Sequence, residues 1–83
     1  MHLADLSRNV FATIVGLRQP VDTEQSELLL RLMEIGFVPG ERVRVVAHGF
    51  PGREPLAVRL GHTTFALRVA EAELIEVELE GAP

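Results

Sequence analysis

The stretch from Arg31 to Val45 constrains the fold more than any other, because a helix end, a stop, a turn and a strand follow one another there without a break. Leu28, Leu32 and Ile35 fall at i, i+4 and i+7, with Leu29 and Met33 beside them, which makes one broad apolar helix face. Gly36 then supplies the left-handed residue that ends a helix cheaply, and Phe37 lies where a Schellman cap places its apolar contact. Pro39-Gly40 turns the chain into a strand over 42–48. In that strand Val43, Val45 and Ala47 share one face and Arg42, Arg44, Val46 and His48 the other, so one side is core and the other partly wet.

The rest of the chain is arranged around this unit. Residues 10–17 are β-branched and aromatic with rough alternation, and Gln19-Pro20 ends them, so they read as a first strand. Asp22 or Thr23 caps the helix, Asp22 and Gln25 stand in capping-box spacing, and Glu24 and Glu27 suit the positive end of the helix dipole. Residues 49–54 form a loop, and strands over 56–60 and 63–68 flank Gly61-His62, a connection typical of tight hairpins. A one-turn corner over 69–73 precedes a closing strand over 74–79, and residues 80–83 are expected to fray. Five short strands with one helix inserted after the first predict a mainly β single domain over 1–83. The expected form is a small, strongly bent antiparallel barrel with the helix plugging one end, since so short a sheet cannot cover its apolar face while flat.

Composition narrows the chemistry. With 83 residues and no cysteine, the fold rests on apolar packing, and disulfides, thiolate metal sites and cysteine nucleophiles are all excluded. The first residues carry an early acid and no apolar run of signal-peptide length, and no run of about 20 apolar residues occurs, so a cytoplasmic location is expected. The net charge of −4 conceals a segregation: residues 42–68 carry five Arg against Glu54, whereas residues 69–83 carry five Glu and no base. All eight basic residues are Arg, which suits guanidinium pairing across a sheet surface.

An enzyme is not expected. Ser7 and Ser26 have no patterned His and acid nearby, Lys and Tyr are absent, and no Gly-rich phosphate loop occurs. Arg42, Arg44, Arg59 and Arg68 could line a positive stripe, but the aromatic stacking platform of single-strand binders is missing, because Phe11 and Phe65 read as core; nucleic acid is not an expected partner. Glu76 and Glu78 on the closing strand are the expected partners of those arginines. Phe50, flanked by Gly49, Pro51 and Gly52, is hard to bury in so short a loop, and an exposed aromatic beside Arg53 is what interface hot spots use. Phe37 is a second aromatic candidate for partner contact, behind its role in the cap. The candidate partner-binding set is therefore Phe37, Phe50, Arg53, Arg42, Arg44 and Arg59, and weak self-association is allowed by the same surface.

The order Leu32…Gly36-Phe37…Pro39-Gly40, then Val43-Arg44-Val45-Val46, then Ala66-Leu67-Arg68…Glu71-Ala72…Ile75…Val77 resembles the ferrous iron transport protein A family, FeoA, across nearly the whole chain. The resemblance implies an SH3-like barrel with a helical insertion and a role in ferrous iron uptake through FeoB, a membrane transporter with a cytosolic GTP-binding domain. Three positions depart from the family pattern. Gly52-Arg53-Glu54-Pro55 stands where Gly-Asp-Pro is frequent, Ala70 stands where a small polar cap is common, and Asn9 stands in place of a glycine. The Ala70 change is expected to remove a side-chain cap worth roughly 0.5–2 kcal/mol, and Asn9 tolerates left-handed backbone.

An iron-linked family raises a metal site, for which His2, His48, Glu54 and His62 are the available ligands. No two of the histidines have helical i, i+4 spacing, so no cofactor is expected to be required and adventitious zinc or iron binding is the expectation. Two alternatives stand beside the docking role: Arg53 acting in trans on the transporter's GTP, and a regulator-associated domain similar to the C-terminal domain of iron-dependent repressors.

Overall fold

The computed structural model describes residues 1–81. Five strands, β1 (Ala12–Leu17), β2 (Arg42–Gly49), β3 (Arg53–Leu60), β4 (Thr63–Leu67) and β5 (Ile75–Leu79), form one antiparallel sheet in the order β4-β3-β2-β1-β5. Helix α1 (Thr23–Ile35) follows β1, and the single-turn helix α2 (Val69–Ala72) precedes β5. The chain is mainly β, as expected, but the sheet is open, with β4 and β5 as its two edges and no ladder joining them among the described residues. No helix among the described residues is long and apolar enough to cross a membrane.

Both ends of α1 form as the local sequence dictates. Asp22 is the N-cap, its carboxylate accepting the Gln25 N–H at 2.8 Å, and the Gln25 side chain accepts the Val21 N–H at 3.2 Å. At the other end Gly36, with φ 125°, donates to the Met33 carbonyl and Phe37 donates to the Leu32 carbonyl at 3.0 Å, the pair of bonds that defines a Schellman cap. The buried face is rotated from the expected one. Leu29 and Leu32 are buried and Leu28 partly so, whereas Met33 and Ile35 are exposed.

The core lies on one face of the sheet. It is built from Ala12 and Ile14 of β1, Val43 and Val45 of β2, Leu56 and Val58 of β3, Leu67 of β4, and Ile75 and Val77 of β5. Leu3, which opens the one-turn 3-10 segment Leu3–Asp5, and Leu6, which follows it, are fully buried and complete it. That segment was not foreseen. It is held to the edge strand by the Val77 N–H donating to the Met1 carbonyl at 2.9 Å and by a bridge between His2 and Glu76.

Two irregularities reset which residues face inward. The β1–β5 register slips between Ile14 and Gly16, which leaves Val15 exposed. The β2–β3 register slips between Val45 and Ala47, with Val46 as the extra residue. Past that bulge the alternation inverts: Ala47 pairs with Ala57 on the outer face and is exposed, and His48 pairs with the buried Leu56 and turns toward the core face. The expected placement of Ala47 inside and His48 outside is thereby corrected. Asn9 does hold left-handed backbone, with φ 65°. Glu80 is held, its N–H donating to the Phe11 carbonyl at 3.1 Å, and Ala82 and Pro83 of the expected frayed tail lie outside the described residues.

Candidate docking surface

The connection between β2 and β3 brings the sharpest candidates to the surface. Strand β3 starts earlier than expected, at Arg53, because Gly49 pairs with Arg53 across a three-residue tip. Gly52 and Arg53 both take positive φ, 80° and 66°, the sign pattern that tight connections between twisted strands require. The base of the loop is close-packed. A Cβ at Gly49 would overlap the Glu54 carbonyl and lie 2.6 Å from the Pro55 nitrogen, so only glycine fits there. The tip is open, and Phe50 is 96% exposed with Arg53 exposed beside it.

Phe37 does not share that surface. It is 0% exposed and packs edge-to-face on Phe65, with ring centroids 5.6 Å apart, so the partner-binding candidacy of Phe37 is withdrawn and its cap-and-core role stands.

The arginine candidates lie on the outer face of the sheet, and one residue read as core lies with them. Phe11 immediately precedes β1, where Ala12 and Ile14 point inward, so its ring faces outward. The guanidinium carbon of Arg42 sits 3.7 Å from the centre of that ring and that of Arg44 4.8 Å from it. With Val43, Arg59 and Gly61 these side chains line a depression of about 220 Å³. Arg42 is paired with Glu80 through two contacts of 2.7 Å. The expected partners Glu76 and Glu78 do not reach the arginines, since β1 stands between β5 and β2 in the sheet. Arg44 and Arg59 are direct cross-strand partners, and among the described residues neither has an acidic partner. Arg59 donates from Nε to its neighbour Gly61's carbonyl at 3.3 Å, and Arg44 Nε is buried without an acceptor.

The metal candidates are not gathered. Among the described residues no three His, Asp or Glu side chains are placed to hold one ion. His2 lies at the N-terminal bridge to β5, within 3.6 Å of Asp5, whereas His62 is exposed in the β3–β4 turn. His48 has turned toward Leu56, and Glu54 is engaged elsewhere: its carboxylate accepts the Val69 N–H at 2.7 Å, capping α2 from across the loop. A second surface was missed altogether, an apolar groove of about 390 Å³ where Leu29, Leu30 and Met33 of α1 face Leu17 and Pro20. The signal for it was Leu30, an apolar residue off the expected helix face.

Comparison with known proteins bears on the fold and the family. The FeoA domain model matches residues 1–79. FeoA of Stenotrophomonas maltophilia, a procaryotic SH3 domain protein solved in complex with zinc, is 41% identical and superposes with a TM-score of 0.81 over 94% of this chain and 89% of its own. Iron(II) transport protein A of Clostridium thermocellum is 38% identical, with a TM-score of 0.79 over 96% of this chain and 46% of its own. The manganese regulator SloR shares the fold at 11% identity, with a TM-score of 0.75 over 96% of this chain and 34% of that one. No curated protein matches the chain. The match over nearly its full length places this chain in the FeoA family, small SH3-like domains linked to ferrous iron transport.

Proposed function

We propose that this protein is a non-enzymatic accessory factor for ferrous iron uptake, acting in the cytoplasm by docking on the GTP-binding region of a FeoB-type transporter. The observation that carries the docking face is Phe50, a large aromatic side chain almost fully exposed at a hairpin tip whose base is locked by Gly49 and Glu54. An aromatic held out by a rigid base loses little freedom on binding, which is what makes such residues strong anchors. Arg53 beside it, and the arginines of the neighbouring outer face, would steer an acidic partner surface toward the tip. Membrane association would then be peripheral and through the partner. No cofactor is required in this reading; the Stenotrophomonas protein was solved with zinc, and the separation of His2, His48 and His62 here supports adventitious metal binding as the reading.

The test is titration of isotope-labelled protein with the cytosolic portion of the FeoB-type transporter from the same genome, with GTP hydrolysis followed in parallel. Amide shifts centred on Phe50 and Arg53 are expected, and Phe50→Ala should weaken binding by roughly thirtyfold while leaving stability within about 0.5 kcal/mol. Unchanged affinity in Phe50→Ala would remove the loop from the interface. Hydrolysis that rises with added protein and falls back in Arg53→Ala would replace pure docking by the arginine-in-trans reading.

A further inference from the structure

The outer face carries an arrangement that the loop does not explain. Arg44 and Arg59 stand directly opposite each other on β2 and β3, a like-charge pair that weakens a sheet unless something of opposite sign lies between the two groups. Among the described residues topology denies them that partner. The acidic strand β5 lies beyond β1, and Glu80, which does reach across, is used by Arg42. Arg44 Nε is in addition shielded from solvent with no acceptor among the described residues, and an unsatisfied donor on a charged group is one of the more expensive features a folded chain can keep. Its guanidinium carbon lies 4.8 Å from the centre of the Phe11 ring, over which that of Arg42 also sits.

We propose that the depression formed by Phe11, Arg44, Arg59 and Gly61 is a carboxylate-binding site that takes the acidic side chain of an extended segment of a partner protein. A carboxylate between the two guanidinium groups would relieve their repulsion and give them a charged acceptor, and its planar, two-oxygen geometry matches the arginine fork. Because the Arg42 charge is already neutralised by Glu80, Arg44 and Arg59 are the two positive charges left to hold the group. This site is distinct from Phe50 and does not rest on the docking role of the loop.

The test titrates protein labelled at arginine and phenylalanine with end-blocked hexaglutamate, and separately with inorganic phosphate at matched ionic strength. Saturable shifts are expected at the Nε–Hε signals of Arg44 and Arg59 and at the Phe11 ring. Affinity should fall by about tenfold or more in Arg59→Gln and in Arg44→Lys, which retains charge but loses the fork, and should be unchanged in Arg31→Gln. Retained amide fingerprints certify the fold of each variant, and if Arg44→Lys fails to fold, Arg59→Gln decides. Shifts of similar size at Arg8, Arg18 and Arg31 would overturn the site as a general charge effect. Tighter binding of phosphate than of hexaglutamate would overturn the carboxylate assignment, and the same shifts produced by raising protein concentration alone would assign the site to a second copy of this chain. Because no transporter is present, failure here leaves the Phe50 test standing, and success leaves it equally open.

Discussion

Replacing Gly49 by alanine tests the construction of the loop with one methyl group. An ideal Cβ at this position would overlap the Glu54 carbonyl carbon and oxygen and approach the Pro55 nitrogen to 2.6 Å, where real Cβ atoms keep beyond 3.0 Å. The obstructing atoms are backbone, so no side chain can swing away, and the β3 strand must move off β2 at the Gly49–Arg53 pair. Overpacking of this kind costs typically about 1–3 kcal/mol. Displacing Glu54 also withdraws its carboxylate from the Val69 N–H, a cap contribution of about 1 kcal/mol, for a total of roughly 2–4 kcal/mol. In a domain of this size that lowers Tm by on the order of 10–25 °C, read by circular dichroism. Gly16→Ala is the control, since a Cβ there meets nothing within 4 Å and the backbone is not left-handed; it should stabilise by about 0.4–1 kcal/mol through the unfolded state. A fall in Tm below about 4 °C for Gly49→Ala would show that the loop base yields, and the rigid-anchor argument for Phe50 would fail with it.

Two further substitutions separate core from corner. Phe37→Ala should cost about 3–5 kcal/mol in urea unfolding, because it empties a fully buried site and removes the edge-to-face contact with Phe65; a loss under 1 kcal/mol would return Phe37 to the surface candidates. Glu54→Ala should cost about 0.5–2 kcal/mol and accelerate hydrogen exchange at the Val69 amide, and an unchanged exchange rate would contradict the cap.

What the sequence made legible was local. The Asp22 cap, the Gly36-Phe37 stop, the left-handed Asn9 and the Gly61-His62 connection each depend on a few adjacent residues, and each forms as read. The bulge at Val46 was invisible because an added residue leaves the composition of a strand intact while inverting its faces from that point on, which is why Ala47 and His48 exchanged sides. Sheet order was equally hidden. Pairing Arg42 and Arg44 with Glu76 and Glu78 presumes that the basic and acidic strands are neighbours, and with β1 inserted between them only Glu80 reaches across among the described residues. Phe11 was misplaced because alternation gives two faces without saying which is apolar; the buried Ala12 and Ile14 settle that it looks outward.

The loop and the corner are coupled through Glu54. Ala70 was expected to deprive the corner of its cap, but the helix begins two residues earlier than that argument requires: Arg68 is the N-cap and Ala70 already the second helical residue. The exposed donors of this turn are met by carboxylates instead, Glu71 accepting the Arg68 N–H at 2.7 Å and Glu54 the Val69 N–H at 2.7 Å. Glu54 belongs to the very segment, Gly52-Arg53-Glu54-Pro55, that departs from the family loop. Glu54 of the loop thus supplies a cap that the side chain of Arg68 does not, and in doing so ties the base of the hairpin to the turn that leads into β5. A tip free to reach a partner on a base fixed at two points, Gly49 beneath and Glu54 to the side, is preorganised, so the ordering cost of engaging Phe50 is met in folding and not in binding. If that is the arrangement's purpose, Glu54→Ala must weaken transporter binding while leaving Phe50 exposed and chemically unaltered, and equal affinity in that variant would mean that the cap serves stability alone.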